Sequence, residues 1–279
     1  MVPKLNNIIL GRLFVVISTI GFILPYSVLA DKRISAYFFN DSVNGVFISD
    51  AYETHNMGLV YEFGEKFGSI DLGIVSPDMH IYRNQYRKAN RSFGELISLS
   101  LGSNYIDDTN THHKYFVQMK SAGKFGIDNL QDLMHRILGL QPVNKVNDLV
   151  RMPNNTWYGV GGMSKKNLVR DLNFVNEIGA RYYLGTDRAE LTPFLSNVTD
   201  YKNIIISSEI GLRGVFYDEI VAAPPINANY RPLIPYLEFG MKFKYVGAQW
   251  YIKDKFSLPT IKDDNSLFGL LTVGVTFEL

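Results

Sequence analysis

Apolar and polar residues alternate one by one along most of this chain. In 57–64, Met57, Leu59, Tyr61 and Phe63 share one face, and Gly58, Val60, Glu62 and Gly64 share the other. In 237–245, Leu237, Phe239, Met241, Phe243 and Tyr245 oppose Glu238, Gly240, Lys242 and Lys244. The last segment sets Leu271, Val273, Val275, Phe277 and Leu279 against Thr272, Gly274, Thr276 and Glu278. A period of two is the signature of a β-strand with one apolar face. About twelve such strands are predicted, near 33–39, 56–64, 68–75, 94–102, 111–119, 156–162, 171–184, 188–197, 203–216, 232–245, 248–257 and 267–279.

Alternation alone also fits a soluble β-sandwich, whose apolar face points inward. Three features favour a transmembrane antiparallel β-barrel. Many segments run to nine residues or more, the length a tilted membrane strand needs. The polar faces are rich in Gly and in charges of both signs, as in a narrow, filled lumen. The sequence ends within an alternating strand, where barrel closure would use it, although Leu279 stands where such barrels usually end in Phe. With both termini on the periplasmic side, the outer connections are about 40–55, 76–92, 120–155, 185–187, 217–231 and 258–266.

Composition narrows the class further. The chain has 279 residues, 18 Phe, 17 Tyr, no Cys and a net charge of +1. Near-zero charge gives no electrostatic case for a nucleic-acid partner. The absence of Cys excludes disulfides, thiolate metal sites and a Cys nucleophile. At the N-terminus, Lys4 and Arg12 precede an apolar run from Leu13 to Leu24 and then Val28-Leu29-Ala30. This is the pattern of a cleaved signal peptide over 1–30, leaving 31–279 as the barrel. The expected location is the outer membrane of a Gram-negative bacterium.

The chemistry must then come from His, Ser and carboxylates. Residues 127–138 break the strand pattern with helical spacing, which places Ile127, Leu130, Met134 and Ile137 on one stripe. Gln131 and His135, four apart, share a face of this helix, which falls in the third outer connection. Asn40-Asp41 closes strand one on the same side; by itself the pair reads equally as a polar turn. The second outer connection adds His80, Arg83, Arg87, Lys88 and Arg91, a basic cluster suited to lipid phosphate or simply to solvent. The adjacent pair His112-His113 suggests a metal site but is discounted, because neighbours in a strand point to opposite faces.

The segment GIDNLQDLMHRILGLQPVNKVNDLVRMP (126–153) resembles the signature of the outer-membrane lipid A 3'-O-deacylases (LpxR-type). Gln131, His135, Leu149 and Pro153 fall in register with that family's pattern. Asn40-Asp41 matches its Asn-Asp at the end of strand one. DAYETHNMGLVYEF (50–63), IVSPDMH (74–80) and NRSFGELISLSLG (90–102) are similar to its further stretches. Lys145, Asp148, Met152 and Asn90 stand where the family carries Trp, Gln, Glu and Asp, and Asn56 stands in place of its Ser or Thr.

The resemblance implies a calcium-dependent hydrolase that removes the 3'-linked acyloxyacyl chain of lipid A in the outer leaflet. His135 would be the general base, Asp41 the Ca²⁺ ligand and Asn40 a partner of either. Gln131, Asn56 and Arg83 or Lys88 would contact the lipopolysaccharide substrate. A monomer in the membrane is expected. Three alternatives remain from the residues alone: a non-catalytic barrel such as an adhesin, a soluble sandwich, and a phospholipase-type barrel esterase. The last needs a Ser within reach of a His and an orienting polar residue.

Overall fold

The computed structural model describes residues 32–40, 55–75, 94–127, 129, 133, 152–171, 173–220, 229–258 and 268–279. Twelve strands follow one another: β1 Lys32–Asn40, β2 His55–Phe63, β3 Lys66–Val75, β4 Gly94–Ile106, β5 Thr111–Gly123, β6 Asn155–Asp171, β7 Phe174–Gly185, β8 Arg188–Tyr201, β9 Ile204–Asp218, β10 Leu233–Tyr245, β11 Ala248–Ser257 and β12 Phe268–Glu278. Each pairs antiparallel with its chain neighbour, and β1 pairs with β12 from Arg33↔Glu278 to Asn40↔Leu271. The sheet is therefore a closed barrel with no free edge.

The alternation divides inside from outside. Leu99, Leu101, Val117, Val160, Leu184, Ile206 and Ile210 are exposed large aliphatics, and all lie on the outer face. A soluble sandwich would bury that face, whereas a membrane barrel presents it to lipid. No water supports backbone polar groups in the hydrocarbon, so closure of the hydrogen-bond ladder is what makes the span possible. The chain is an outer-membrane β-barrel.

Charges and aromatics fill the interior. Arg181 forks onto Glu209 at 2.6 and 2.7 Å, and the Tyr236 hydroxyl donates to the same carboxylate at 2.6 Å. Arg213 pairs with Glu190, Lys165 with Glu177 and Lys253 with Glu238. Lumen aromatics lie across lumen glycines. The Tyr37 ring crosses Gly58 while its hydroxyl donates to Asp71, and the Tyr236 ring occupies the space a Cβ at Gly211 would need. A polar cavity of about 500 Å³ remains on the inner side, bordered by Ser35, Glu62, Lys114 and Lys242.

The connections sort by length. At one end, the spacing between strands leaves only 64–65, 107–110, 172–173, 202–203 and 246–247. Val246 and Gly247 have φ of 50° and 71°, the doubly left-handed turn that matches strand twist. The other end carries 41–54, 76–93, 124–154, 219–232 and 258–267, with only Thr186-Asp187 short. Long connections mark the extracellular side, as the parity of the sequence pattern predicts.

Several strands outrun their predicted bounds. β4 continues to Ile106, β5 to Gly123 and β6 to Asp171, so the β6–β7 hairpin tip lies at 172–173 and not near 163–170. Beyond the lipid belt the outward positions turn polar, so alternation fades while the ladder continues. A register shift between Asn167 and Val169 hides the pattern further. The segment 1–30 lies outside the described residues.

Candidate active site at the outer rim

Three elements meet the outer rim with sequence-predicted site residues. β1 ends there at Asn40, which pairs across the ladder with His55 of β2 and Leu271 of β12. One step inward, Asn56 pairs with Phe39 and with Gly73 of β3. It lies on the lumen face, in phase with Gly58 and Glu62. Its Oδ1 is buried and has no hydrogen-bond partner among the described residues. A buried acceptor without a donor is costly, and its place at the lumen mouth suits a group that arrives with a ligand.

The helix begins at the same rim. Ile127, Asn129 and Leu133 are helical, as the spacing predicts. Glu95 of β4 fixes the entry: its Oε2 accepts the backbone N–H of Phe125 and of Ile127, both at 2.8 Å. Gly126 between them takes φ of 79°, a left-handed turn that a Cβ would strain. Ile127 then packs on the buried Ile74 with Leu72 and Ile97 beside it, against the outside of β3 and β4. The first member of the predicted stripe thus docks on the barrel wall. Asp41, Arg83, Lys88, Gln131 and His135 lie outside the described residues, as does the side chain of Asn40.

Beneath the rim an apolar cluster packs against the inner side of β3–β6. Val75, Leu96, Ala122, Met152, Trp157 and Ile220 form a buried apolar cluster. Met152, which stands where the resembling family carries Glu, belongs to this cluster and lies across Gly94. Its environment suits an apolar side chain: a carboxylate there would face aliphatic side chains and an indole. The Trp157 indole N–H donates to Glu219 Oε2 at 3.1 Å. Lys120 and Asp187 form a buried ion pair at 2.9 Å, and the Tyr183 hydroxyl donates to the same Asp187 at 2.9 Å. These bonds tie the short Thr186-Asp187 connection to β5 and β7.

The histidine pair behaves as the strand period predicts. His112 points into the lumen and bonds Asn104. His113 points outward, toward Asp107 and Ser164. Among the described residues, no three His, Asp or Glu side chains converge as metal ligands. The outward arrangement escaped the sequence. Asp107 and His113 flank one hairpin turn and are close along the chain, but only the β5–β6 register brings Ser164 opposite His113.

No family model and no curated protein matches this sequence. Solved structures do. The barrel is similar in fold to LpxR from Salmonella typhimurium. The TM-score is 0.70 at 13% identity, over 88% of this chain and 100% of that one. The translocator domain of autotransporter NalP from Neisseria meningitidis is similar at TM-score 0.50 and 11% identity, over 98% and 96% of the two chains. A KdgM porin in complex with disordered oligogalacturonate matches at TM-score 0.46 and 10% identity, over 88% and 99%. At such identities the likeness establishes the architecture, which LpxR shares over its whole length.

Proposed function

We propose that this chain is an ester hydrolase of the outer leaflet that removes the 3'-linked acyloxyacyl chain of lipid A. The observation that supports the proposal is that three predicted elements end on one side of the barrel. The strand ending in Asn40, Asn56 with an Oδ1 that has no partner among the described residues, and the anchored start of the helix predicted to carry Gln131 and His135 all reach the extracellular end. The motif resemblance supplies the activity, and the LpxR-like fold supports it without carrying it alone.

His135, neutral at physiological pH, would take a proton from water as general base. The resulting hydroxide attacks the ester carbonyl carbon, and the alkoxide leaves with a proton. Asn56 Oδ1, a buried oxygen acceptor without a donor among the described residues, lies beside the strand that leads to Asp41. Oxygen donors of this kind fit a hard cation, so Asp41 with Asn40 would hold Ca²⁺. When bound, the ion supplies polarisation of the carbonyl and stabilisation of the oxyanion. Gln131 and Asn56 would orient the sugar or acyl amide, and Arg83 or Lys88 would meet a lipid phosphate.

The test is lipid A mass spectrometry from bacteria that express the chain or its His135→Ala variant, both verified in the outer membrane. Loss of the 3'-acyloxyacyl mass with wild type alone is expected. Unchanged lipid A from inserted wild type, repeated in Ca²⁺-containing detergent, would refute the proposal.

A further inference from the structure

A second constellation lies on the lipid face at the opposite end of the barrel. Ser164 Oγ of β6 is 2.9 Å from His113 Nδ1 of β5, and His113 Nε2 is 3.1 Å from Asp107 Oδ2 in the β4–β5 turn. The other Asp107 oxygen accepts from Thr109 N at 2.9 Å, Thr109 Oγ1 at 2.7 Å and Thr111 N at 2.9 Å. The carboxylate is therefore locked, with Oδ2 left to the imidazole. An ionised carboxylate only accepts, so Nε2 carries the ring hydrogen and Nδ1 is the acceptor. Two hydroxyls face that nitrogen: Ser164, and Tyr115, whose oxygen is 3.0 Å away.

We infer that Ser164, His113 and Asp107 form a serine esterase site for glycerophospholipids of the inner leaflet. The site sits where the outward positions change from apolar to polar. On β4 these run Leu101, Ser103, Tyr105; on β5 Val117, Tyr115, His113; on β6 Val160, Gly162, Ser164, Lys166. That boundary is the depth of lipid ester carbonyls. The His113 side chain is 17% exposed and that of Asp107 33%, so the groups are held yet reachable. Outward along the same strands runs an apolar groove of about 770 Å³ between Leu101, Val117, Val160 and Leu184, with Gly159 and Gly185 in its lining. The groove begins at Val160, two outward positions above Ser164, and its lining continues to Tyr158 and Thr186, so an acyl chain leaving Ser164 would pass Gly162 before entering it. Exposed Lys166, the next outward position of β6, suits the lipid phosphate.

The chemistry balances with water as co-reactant. Ser164 Oγ bonds to the carbonyl carbon as its proton passes to His113 Nδ1, and Asp107 stabilises the imidazolium. The Tyr115 hydroxyl, displaced from Nδ1 once that nitrogen is protonated, would be available to donate to the oxyanion. The carbon–oxygen bond to glycerol breaks, and His113 returns the proton to the lysophospholipid. Water, deprotonated by His113, then cleaves the acyl-serine to free fatty acid and Ser164.

The test uses the full chain refolded in detergent, a fluorophosphonate probe located by mass spectrometry, and fatty-acid release from dioleoylphosphatidylcholine mixed micelles. Wild type and His135→Ala are expected to label at Ser164 and to hydrolyse the lipid. Ser164→Ala and His113→Ala should lose labelling and at least ~10³-fold in hydrolysis, with heat-modifiable migration confirming that each barrel has formed. A folded wild type that neither labels nor hydrolyses would overturn the inference, as would full activity in Ser164→Ala. The His135→Ala arm separates this outcome from that of lipid A deacylation, which does not involve Ser164.

Discussion

The Oε2 atom of Glu95 accepts the backbone N–H of Ile127 at 2.8 Å. One strand carboxylate thereby sets the direction in which the chain leaves the barrel wall and enters the helix. Negative charge at a helix N-terminus also opposes the helix dipole favourably. Glu95→Ala removes the acceptor from two N–H groups, at about 1–3 kcal/mol for each donor left unpaired. Lipid A deacylation is expected to fall sharply in this variant while heat-modifiable migration persists. Retained full activity would show that the helix holds its place without Glu95.

Lys120 and Asp187 test the wall beneath that rim. Both side chains are at most 5% exposed. Lys120→Met leaves Asp187 buried with a single hydroxyl donor from Tyr183 among its described bonds. Breaking one partner of such a pair costs about 3–5 kcal/mol. Urea titration of the barrel in lipid vesicles should show the loss, and Lys120→Met combined with Asp187→Asn should recover part of it.

Met152 offers a test by restoration. Met152→Glu reinstates the residue found in the resembling family but places a carboxylate among Val75, Leu96, Trp157 and Ile220. The desolvation penalty for an ion in such a site is several kcal/mol. Refolding yield and urea midpoint are expected to drop, with no gain in deacylation. A more active, equally stable Met152→Glu would mean that the position faces the site.

Asp107 gives a pH signature. Hydrogen bonds from the Thr111 backbone, from the Thr109 side chain and backbone, and from His113 hold its carboxyl well below the ordinary 3.8. The folded value is the lower one, so its contribution to stability is complete above 3.8 and is lost as pH falls below it. Asp107→Asn should therefore be less stable than wild type at pH 7, and the gap should narrow as pH falls below 3.8. Parallel urea curves at several pH values measure this. A gap independent of pH would indicate that the ionised form contributes nothing.

Strand count, side and order were legible because a membrane barrel imposes the same period-two rule on every span. The partner of each strand followed from parity, and the helical state of Ile127 followed from helical spacing. Elements governed by long-range register were not legible. Ser164 lies 51 residues from His113, and nothing local marks it. Met152 was visible as a departure from a motif, yet its reason is tertiary: the 152–154 segment folds over Gly94 into an apolar cluster. The far ends of β4, β5 and β6 were missed because the lipid that enforces alternation stops before the ladder does.

The filled lumen has a kinetic consequence. Among the described residues, Arg181, Glu209, Tyr236 and the packed cluster under the rim occupy the lumen with charged and aromatic groups, while the outer face is apolar. A bilayer-embedded substrate meets this outer face by diffusing within its own leaflet. Turnover should then follow the mole fraction of substrate in the bilayer, not its bulk concentration, and dilution with inert lipid should act as a competitive brake. With both proposed sites active, the two leaflets would be separate reaction vessels served by one barrel.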